Sequence, residues 1–126
     1  MRSQFGRRLR LKAAAQFDSV FKRGARLPGR LFLIVYAPNR ERRHRLGLAV
    51  SRKVGGAVAR NRAKRLLRES FRRAARPARN GYDLVVVAHK GIVACGQAEV
   101  DRELRERLQR IDAAAAPAGA PAAAGD

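Results

Sequence analysis

The chain has 126 residues, of which 29 are Lys or Arg and only 10 are Asp or Glu, so its formal net charge is +19. This length suits one domain with a modest core and excludes two. So large a positive charge indicates a polyanionic partner, with nucleic acid the first candidate and an anionic membrane surface the second.

Two further features narrow the class of protein. No apolar run approaches the roughly 20 residues that span a bilayer, and the basic N-terminus does not look like a signal peptide. A single cysteine, Cys95, excludes an intramolecular disulfide and a multi-cysteine metal site. The sequence therefore predicts a cytoplasmic protein with no membrane partner.

Composition divides the chain into three parts. Residues 1–8 are rich in Arg and predict a flexible basic arm, and residues 9–112 predict one α/β domain. Residues 113–126 consist almost entirely of Ala, Pro and Gly, which is typical of a disordered tail.

The domain begins with a predicted helix over residues 12–23, which Gly24 would end. Phe17 and Phe21 lie one turn apart on it, a spacing typical of core packing or of the wall of a partly open cleft. A loop around Pro28 follows.

Two strands come next. Residues 31–36 form a continuous apolar run that suits a buried strand, and residues 46–50 alternate, with Leu46, Leu48 and Val50 on one face. The small residues on the other face, among them Gly47, leave it open to a helix or a ligand.

The stretch 51–73 predicts a glycine loop and then an amphipathic helix that ends near Pro77. At about 100° per residue, its apolar positions fall in one arc: Ala59, Ala63, Leu66, Leu67, Ser70 and Ala74, with Phe71 at the edge. The polar side is almost wholly cationic, with like charges at i, i+4, i+8 and i+12: Arg60, Lys64, Arg68 and Arg72. Each like-charge pair destabilises a helix by roughly 0.2 to 0.5 kcal/mol, so the pattern favours a phosphate-binding surface over a merely solvated face.

Residues 82–88 then predict a strand that is central in its sheet, because Leu84 to Val87 are apolar without interruption. Val100, Leu104, Leu108 and Ile111 repeat at helical spacing after it. The order of elements, α-β-β-(β)-α-β-α with one possible extra strand, predicts a two-layer α/β sandwich with about four strands and helices on one face of the sheet.

The sequence shows no set of residues with which this protein alone could catalyse a nuclease reaction. Asp18, Glu41, Glu69 and Asp83 are scattered singly, whereas a protein nuclease would need paired carboxylates or a His and Lys constellation. His44 and His89 are interpreted as exposed residues outside any active site, and there is no nucleotide-binding or zinc motif. A nuclease that acts alone is therefore not expected.

The segment V-G-G-A-V-A-R-N-R-A-K-R-L-L-R-E-S-F-R closely resembles the bacterial ribonuclease P protein component, the small basic subunit of a tRNA-processing ribonucleoprotein. Residues 47–55, 10–24 and the strand Y-D-L-V-V-V-A-H-K are similar to further parts of that family. The resemblance implies an α/β sandwich with a left-handed βαβ crossover, although such crossovers are generally right-handed.

The resemblance also implies partners and sites. The RNA subunit would hold the active site and the catalytic Mg²⁺, and the protein would bind that RNA and the single-stranded leader of precursor tRNA. The RNA-contacting set implied is Arg52, Lys53, Arg60, Asn61, Arg62, Lys64, Arg65 and Arg68. The implied leader cleft is lined by Phe17, Phe21, Lys22, Phe32 and Tyr36, or by Leu33 and Val35 if the first strand is shifted by one residue.

The alternative that the residues leave open is a ribosomal-type or general RNA-binding module without a role in tRNA processing. It accounts for the charge and the fold, but it gives no reason for an aromatic pair beside a basic helix. No protein partner is implied.

Overall fold

The computed structural model describes residues 14–39, 41, 43–74 and 81–115, so the predicted arm and most of the predicted tail lie outside it. Within these ranges the chain forms three α-helices and four β-strands. In chain order they are α1 (Ala14–Arg23), β1 (Ala25–Pro28), β2 (Phe32–Pro38), β3 (Arg45–Ala49), α2 (Ala57–Ala74), β4 (Tyr82–Ala88) and α3 (Gln97–Ala115). Two short 3₁₀ helices follow β3 and β4, and we name them the 52–54 segment (Arg52–Val54) and the 90–94 segment (Lys90–Ala94).

The strands form one mixed sheet in the order β1-β2-β4-β3. Strand β2 is antiparallel to both β1 and β4, whereas β3 is parallel to β4 and is joined to it through α2. The uninterrupted apolar strand β4 is central, as its sequence predicts, and its bounds match the predicted ones. The α+β fold with a four-stranded sheet is thereby confirmed.

Strand β1 corrects the predicted loop around Pro28. Its four residues alternate between half-buried and exposed, and Pro28 stands at the end of this edge strand, where a missing N–H is tolerated. The turn into β2 is held by α3: Glu103 Oε2 accepts the Leu31 N–H at 2.9 Å, and Arg107 Nε donates to the Pro28 carbonyl at 3.2 Å. A Cβ on Gly29 would lie 2.7 Å from the Phe32 carbonyl oxygen and 2.5 Å from that Glu103 oxygen, and because the carbonyl belongs to the backbone, the turn favours glycine.

The main core lies between the sheet and the helices α2 and α3. Phe32 and Ile34 of β2 point into it, and Leu67 and Phe71 of α2 pack against them with no exposed surface. The apolar arc predicted for α2 is buried as expected, and α2 packs along α3.

The opposite face of the sheet carries α1. Val20 of α1 is fully buried against Val35 of β2 and Val85 of β4. The expectation of helices on one face was therefore incomplete, because the small residues Gly47 and Ala49 sit on the face that a helix does occupy. Ala49 packs at the edge of this second, smaller core.

His44 corrects a further expectation, since it is buried rather than exposed. Its Nδ1 accepts the Tyr82 backbone N–H at 3.0 Å, which requires the proton to sit on Nε2, and Nε2 lies 3.1 Å from Asp112 Oδ1. The ring thus links the starts of β3 and β4 to the last turns of α3.

The described ends of the helices differ a little from the predicted ones. Helix α2 is described to Ala74, so the predicted stop at Arg76 and Pro77 lies outside the described residues, and α3 continues to Ala115, into the predicted tail. None of the helices in the described ranges is long and apolar enough to cross a membrane.

Candidate nucleic-acid interface

The start of α2 is built to meet anions. Gly55 precedes it with φ at 148°, a conformation that favours glycine, and the first turn of the helix contains no acidic residue. The helix dipole and the free N–H groups of that turn therefore face solvent with no carboxylate of the first turn to offset them. Val58, 85% exposed, is the large apolar residue that protrudes beside them.

All eight residues of the implied RNA-contacting set reach the surface. Those that are exposed are Arg52, Lys53, Asn61, Arg62 and Arg65, and those that are half-buried are Arg60, Lys64 and Arg68. We name the members on α2 the α2 cation face: Arg60, Asn61, Arg62, Lys64, Arg65 and Arg68. Asn61, Arg65 and Arg68 line one surface depression together with Glu69 and Arg72.

The charge of α2 is unevenly distributed along its length. Glu69 pairs with Arg72 and, at 3.2 Å, with Arg73. The hydrogen bond from Arg72 lowers the pKa of Glu69, so this carboxylate is ionised at neutral pH. The last turn is therefore partly neutralised, and the excess positive charge lies in the first three turns.

A polar cluster fixes the C-terminal half of α2 to α3. Asp101 Oδ2 accepts from Arg73 at 2.7 Å, and its Oδ1 accepts from Ser70 and from Gln97, the latter at 3.0 Å. Gln97 also donates to the Leu66 carbonyl at 2.9 Å. These bonds set the orientation of α2 about its own axis, with its cationic side turned away from α3 and the sheet.

Arg62 differs from its neighbours on α2, because its guanidinium contacts the protein itself. Its Nη2 donates to the Cys95 carbonyl at 2.9 Å and its Nε to the Val93 carbonyl at 3.3 Å. Sequence reasoning missed this contact, since nothing in the spacing of residues 62 and 95 indicates it.

Lys90 is a surface cation that the implied set does not include. Because β3 and β4 are parallel, their carboxyl ends meet at one edge of the sheet, and the 52–54 and 90–94 segments that follow them pack together. Arg52, Lys53 and Lys90 are all exposed there. The strand-helix-strand order of β3, α2 and β4 is typical of parallel strands, so this grouping could have been predicted from the sequence.

A second surface lies on the other face of the sheet. Phe17 and Phe21 of α1 are only half-buried, and they lie with Leu33, Ala49 and Val87 around the small core. We name these five residues the α1 patch. Two accessible aromatic rings on an apolar floor are suited to stacking on unpaired bases.

Three predicted cleft residues do not belong to this patch. Phe32 and Tyr36 point to the opposite face of the sheet, where they are 0% and 6% exposed in the main core, whereas Leu33 and Val35 face α1, with Val35 fully buried. Lys22 lies on the outer side of α1 beside Asp18, about 100° round the helix from Phe21.

The described residues contain no group of three or more His, Cys, Asp or Glu side chains that could hold a metal ion. Several carboxylates are already engaged by cations, such as Asp83 by Arg45 at 2.8 Å. Cys95 is buried, and burial raises the pKa of its thiol, which keeps it protonated and unreactive at neutral pH.

A small α+β domain with a cationic helix on one side and a half-buried, accessible aromatic pair on the other defines a nucleic-acid-binding protein of the RNA-binding class. Comparison with known proteins makes the assignment specific. A family model described as Ribonuclease P matches residues 5–112.

Relatives of known sequence agree with the family model. The ribonuclease P protein component of Clostridium kluyveri is 38% identical over 103 residues, which cover 80% of this chain and 92% of that protein. The component from Streptococcus pneumoniae serotype 4 is 36% identical over 100 residues, which cover 79% of this chain and 81% of that protein.

Solved structures agree as well. The RNase P protein from Thermotoga maritima is 32% identical with a TM-score of 0.70, over 80% of this chain and 96% of that one. A mutant RNase P protein from Staphylococcus aureus is 28% identical with a TM-score of 0.75, over 86% and 92%. The chain belongs to the ribonuclease P protein family, and its role is that of a protein subunit of ribonuclease P.

Proposed function

We propose that this subunit binds the catalytic RNA of ribonuclease P through the α2 cation face and holds the single-stranded leader of precursor tRNA on the α1 patch. The observation that carries the proposal is the separation of two surfaces with different chemistry, one cationic and one aromatic, on opposite sides of one sheet. A phosphate backbone suits the first surface, and unpaired bases suit the second.

Phosphate contacts and base stacking contribute enough binding free energy for this role. If five or six cations meet phosphates, the affinity falls with salt at a log-log slope of roughly −0.7 to −0.9 per contact. Stacking adds roughly 1 to 3 kcal/mol for each base. The cations supply affinity without sequence preference, and the two rings tolerate leaders of varied sequence.

Cleavage itself is assigned to the RNA subunit together with Mg²⁺. Glu69, Asp83 and Asp101 each accept hydrogen bonds from arginines, which leaves them poorly placed to hold a metal ion or to act as a general base. The protein then contributes position and charge, and we place the complex in the cytoplasm, where precursor tRNA is made in a bacterium.

The decisive experiment is a cleavage assay with the cognate RNA subunit at low Mg²⁺, with and without this protein. We expect the protein to increase cleavage and to bind precursor tRNA more tightly than mature tRNA when it is assembled with the RNA subunit. An unchanged rate and affinity would refute the proposal.

The same assay separates the alternative function. A general RNA-binding module would affect precursor and mature tRNA equally, because it would have no site for the leader. A leader-dependent gain therefore supports the subunit function, and cleavage by the purified protein without RNA would contradict both.

A further inference from the structure

The side chain of Arg62 connects α2 to the 90–94 segment through two hydrogen bonds, and we name this contact the joint. The last carbonyls of a helical turn have no donor within that turn, and the Arg62 guanidinium donates to two such carbonyls, those of Val93 and Cys95, at 3.3 and 2.9 Å. The segment itself is short, with Cys95 N–H donating to the Ile92 carbonyl at 3.0 Å.

The planar fork of arginine is what this joint requires. Its N–H groups point in fixed directions and reach two acceptors at once, whereas a lysine ammonium is a compact charge on a flexible stem. The two bonds occupy the Nε–H and one Nη2–H, which form one side of the guanidinium fork that could take a phosphate bidentately. Arg65, three residues further along α2, is exposed and lines the open depression instead.

The joint helps to fix the segment that carries Lys90. The 90–94 segment packs against both α2 and the 52–54 segment, which brings exposed Lys90 to the same edge of the sheet as exposed Arg52 and Lys53. We name these three residues the cationic rim. Ile92 anchors the middle of this five-residue segment in the main core, and the two Arg62 bonds tie its C-terminal end to α2.

We propose that Arg62 is a positioning residue, which holds the 90–94 segment against α2 so that Lys90 joins Arg52 and Lys53 in one RNA-contacting rim. This rests on the proposed function, since it refines which cations meet the catalytic RNA. It removes Arg62 from the phosphate ligands and adds Lys90 to them.

The test measures binding of the full chain to its RNA subunit over a range of salt concentrations. Arg62→Lys keeps the charge and loses the fork, and Arg110→Lys, at an exposed arginine of α3 outside both proposed surfaces, is the matched control. We expect Arg62→Lys and Arg62→Gln to weaken binding by a similar factor, on the order of tenfold, with Arg110→Lys close to the unaltered chain.

Two readouts distinguish positioning from a general loss of structure. The loss caused by Arg62→Lys should largely vanish in a Lys90→Gln background, whereas Arg65→Gln and Lys90→Gln should combine additively. In the free protein, Arg62→Lys should speed hydrogen exchange of the Cys95 amide and leave amides in β4 unchanged.

Each contrary result has a definite meaning. If Arg62→Lys binds as the unaltered chain does, while Arg62→Gln lowers the salt slope by about one contact, Arg62 is a phosphate ligand and the inference is wrong. Additive effects of Arg62→Lys and Lys90→Gln, or unchanged exchange at Cys95, also overturn it. An unaltered chain that does not bind the RNA subunit overturns the proposed function as well.

Discussion

At the scale of single residues, Asp83 shows how a cationic chain uses its few carboxylates. It is 5% exposed, and it accepts two hydrogen bonds from Arg45, at 2.8 and 2.9 Å, and one from Asn39 at 3.0 Å. These contacts raise the pKa of Arg45 and join the end of β2 to the starts of β3 and β4. An acidic residue that looks isolated in the sequence is a junction of three strands.

We expect Asp83→Asn to lower the free energy of unfolding by about 2 to 3 kcal/mol, because it leaves a partly buried guanidinium without its counter-charge. Urea unfolding measures the change. Glu106→Gln is the control, since the Glu106 side chain is 63% exposed in its pair with Arg107, and it should change stability by less than about 1 kcal/mol. Equal effects of the two substitutions would contradict the role of Asp83.

Asp101 makes stability depend on pH. Burial would raise its pKa, but hydrogen bonds from Ser70, Gln97 and Arg73 outweigh burial, and the pKa lies below its ordinary value of 3.8. A group whose folded-state pKa is lowered contributes stability that is complete above the unfolded pKa and is lost as the pH falls through the folded one. We therefore expect Asp101→Asn to be less stable at pH 7, with the difference from the unaltered chain shrinking below pH 3.8.

Thermal unfolding between pH 7 and pH 2.5 measures this effect. A difference between the two proteins that stays constant over the whole range would show that the Asp101 carboxylate has no special stabilisation.

The exposure of the cations on α2 could be predicted from the sequence, but the face of β2 that meets α1 could not. The run of residues 31–36 is apolar at every position, so alternation cannot show which face meets α1, and only the folded sheet places Phe32 and Tyr36 on the other face. His44 was misjudged because its neighbours Arg43 and Arg45 are charged. Its burial depends on Tyr82 and Asp112, which are distant in sequence.

At the scale of elements, the long periodic ones could be predicted and the short ones could not. The helix α2 and the strand β4 carry strong signals of their own. Strand β1 has four residues and a proline, and only its pairing with β2 makes it a strand. The contact between Arg62 and the 90–94 segment likewise exists only in the folded chain.

The start of α2 depends on the backbone conformation of one residue, Gly55. We expect Gly55→Ala to destabilise the protein by about 1 to 3 kcal/mol, because φ is 148° there and the new Cβ would lie 2.7 Å from the Cβ of Ala59. Binding to the RNA subunit should weaken as well, since the strain falls at the anion-facing start of the helix.

Gly56→Ala is the matched control, because a Cβ at Gly56 would meet no atom within 4 Å among the described residues. It should change stability by about 0.5 kcal/mol or less. Chemical denaturation of both variants measures the contrast, and a Gly55→Ala protein as stable as Gly56→Ala would refute the strain.

At the scale of the whole molecule, the sheet separates the two proposed RNA surfaces. Phe21→Leu keeps apolar volume in the α1 patch but removes a ring, so we expect it to reduce the preference for precursor over mature tRNA by about 1 kcal/mol or more. Arg65→Gln should leave that preference unchanged and lower the salt slope of binding to the RNA subunit by about 0.7 to 0.9.

Because the two surfaces lie on opposite faces of the sheet, the double variant should show the sum of the two effects within about 0.5 kcal/mol. Arg110→Gln removes one exposed charge from α3 and should do neither. Filter-binding titrations with precursor and mature tRNA provide the measurement, and strong coupling between Phe21 and Arg65 would show that the surfaces are not independent.

The contacts made by α3 have a consequence for how the chain is made. Glu103 and Arg107 hold the turn between β1 and β2, and Asp112 holds His44 at the start of β3. The central strand β4 also comes after the other three strands in the sequence. We therefore expect the first three strands to leave the ribosome before β4 can pair with β2 and β3, so that the fold closes only after residue 112 has emerged. Until then a strongly cationic chain would remain incompletely folded and open to polyanions around it.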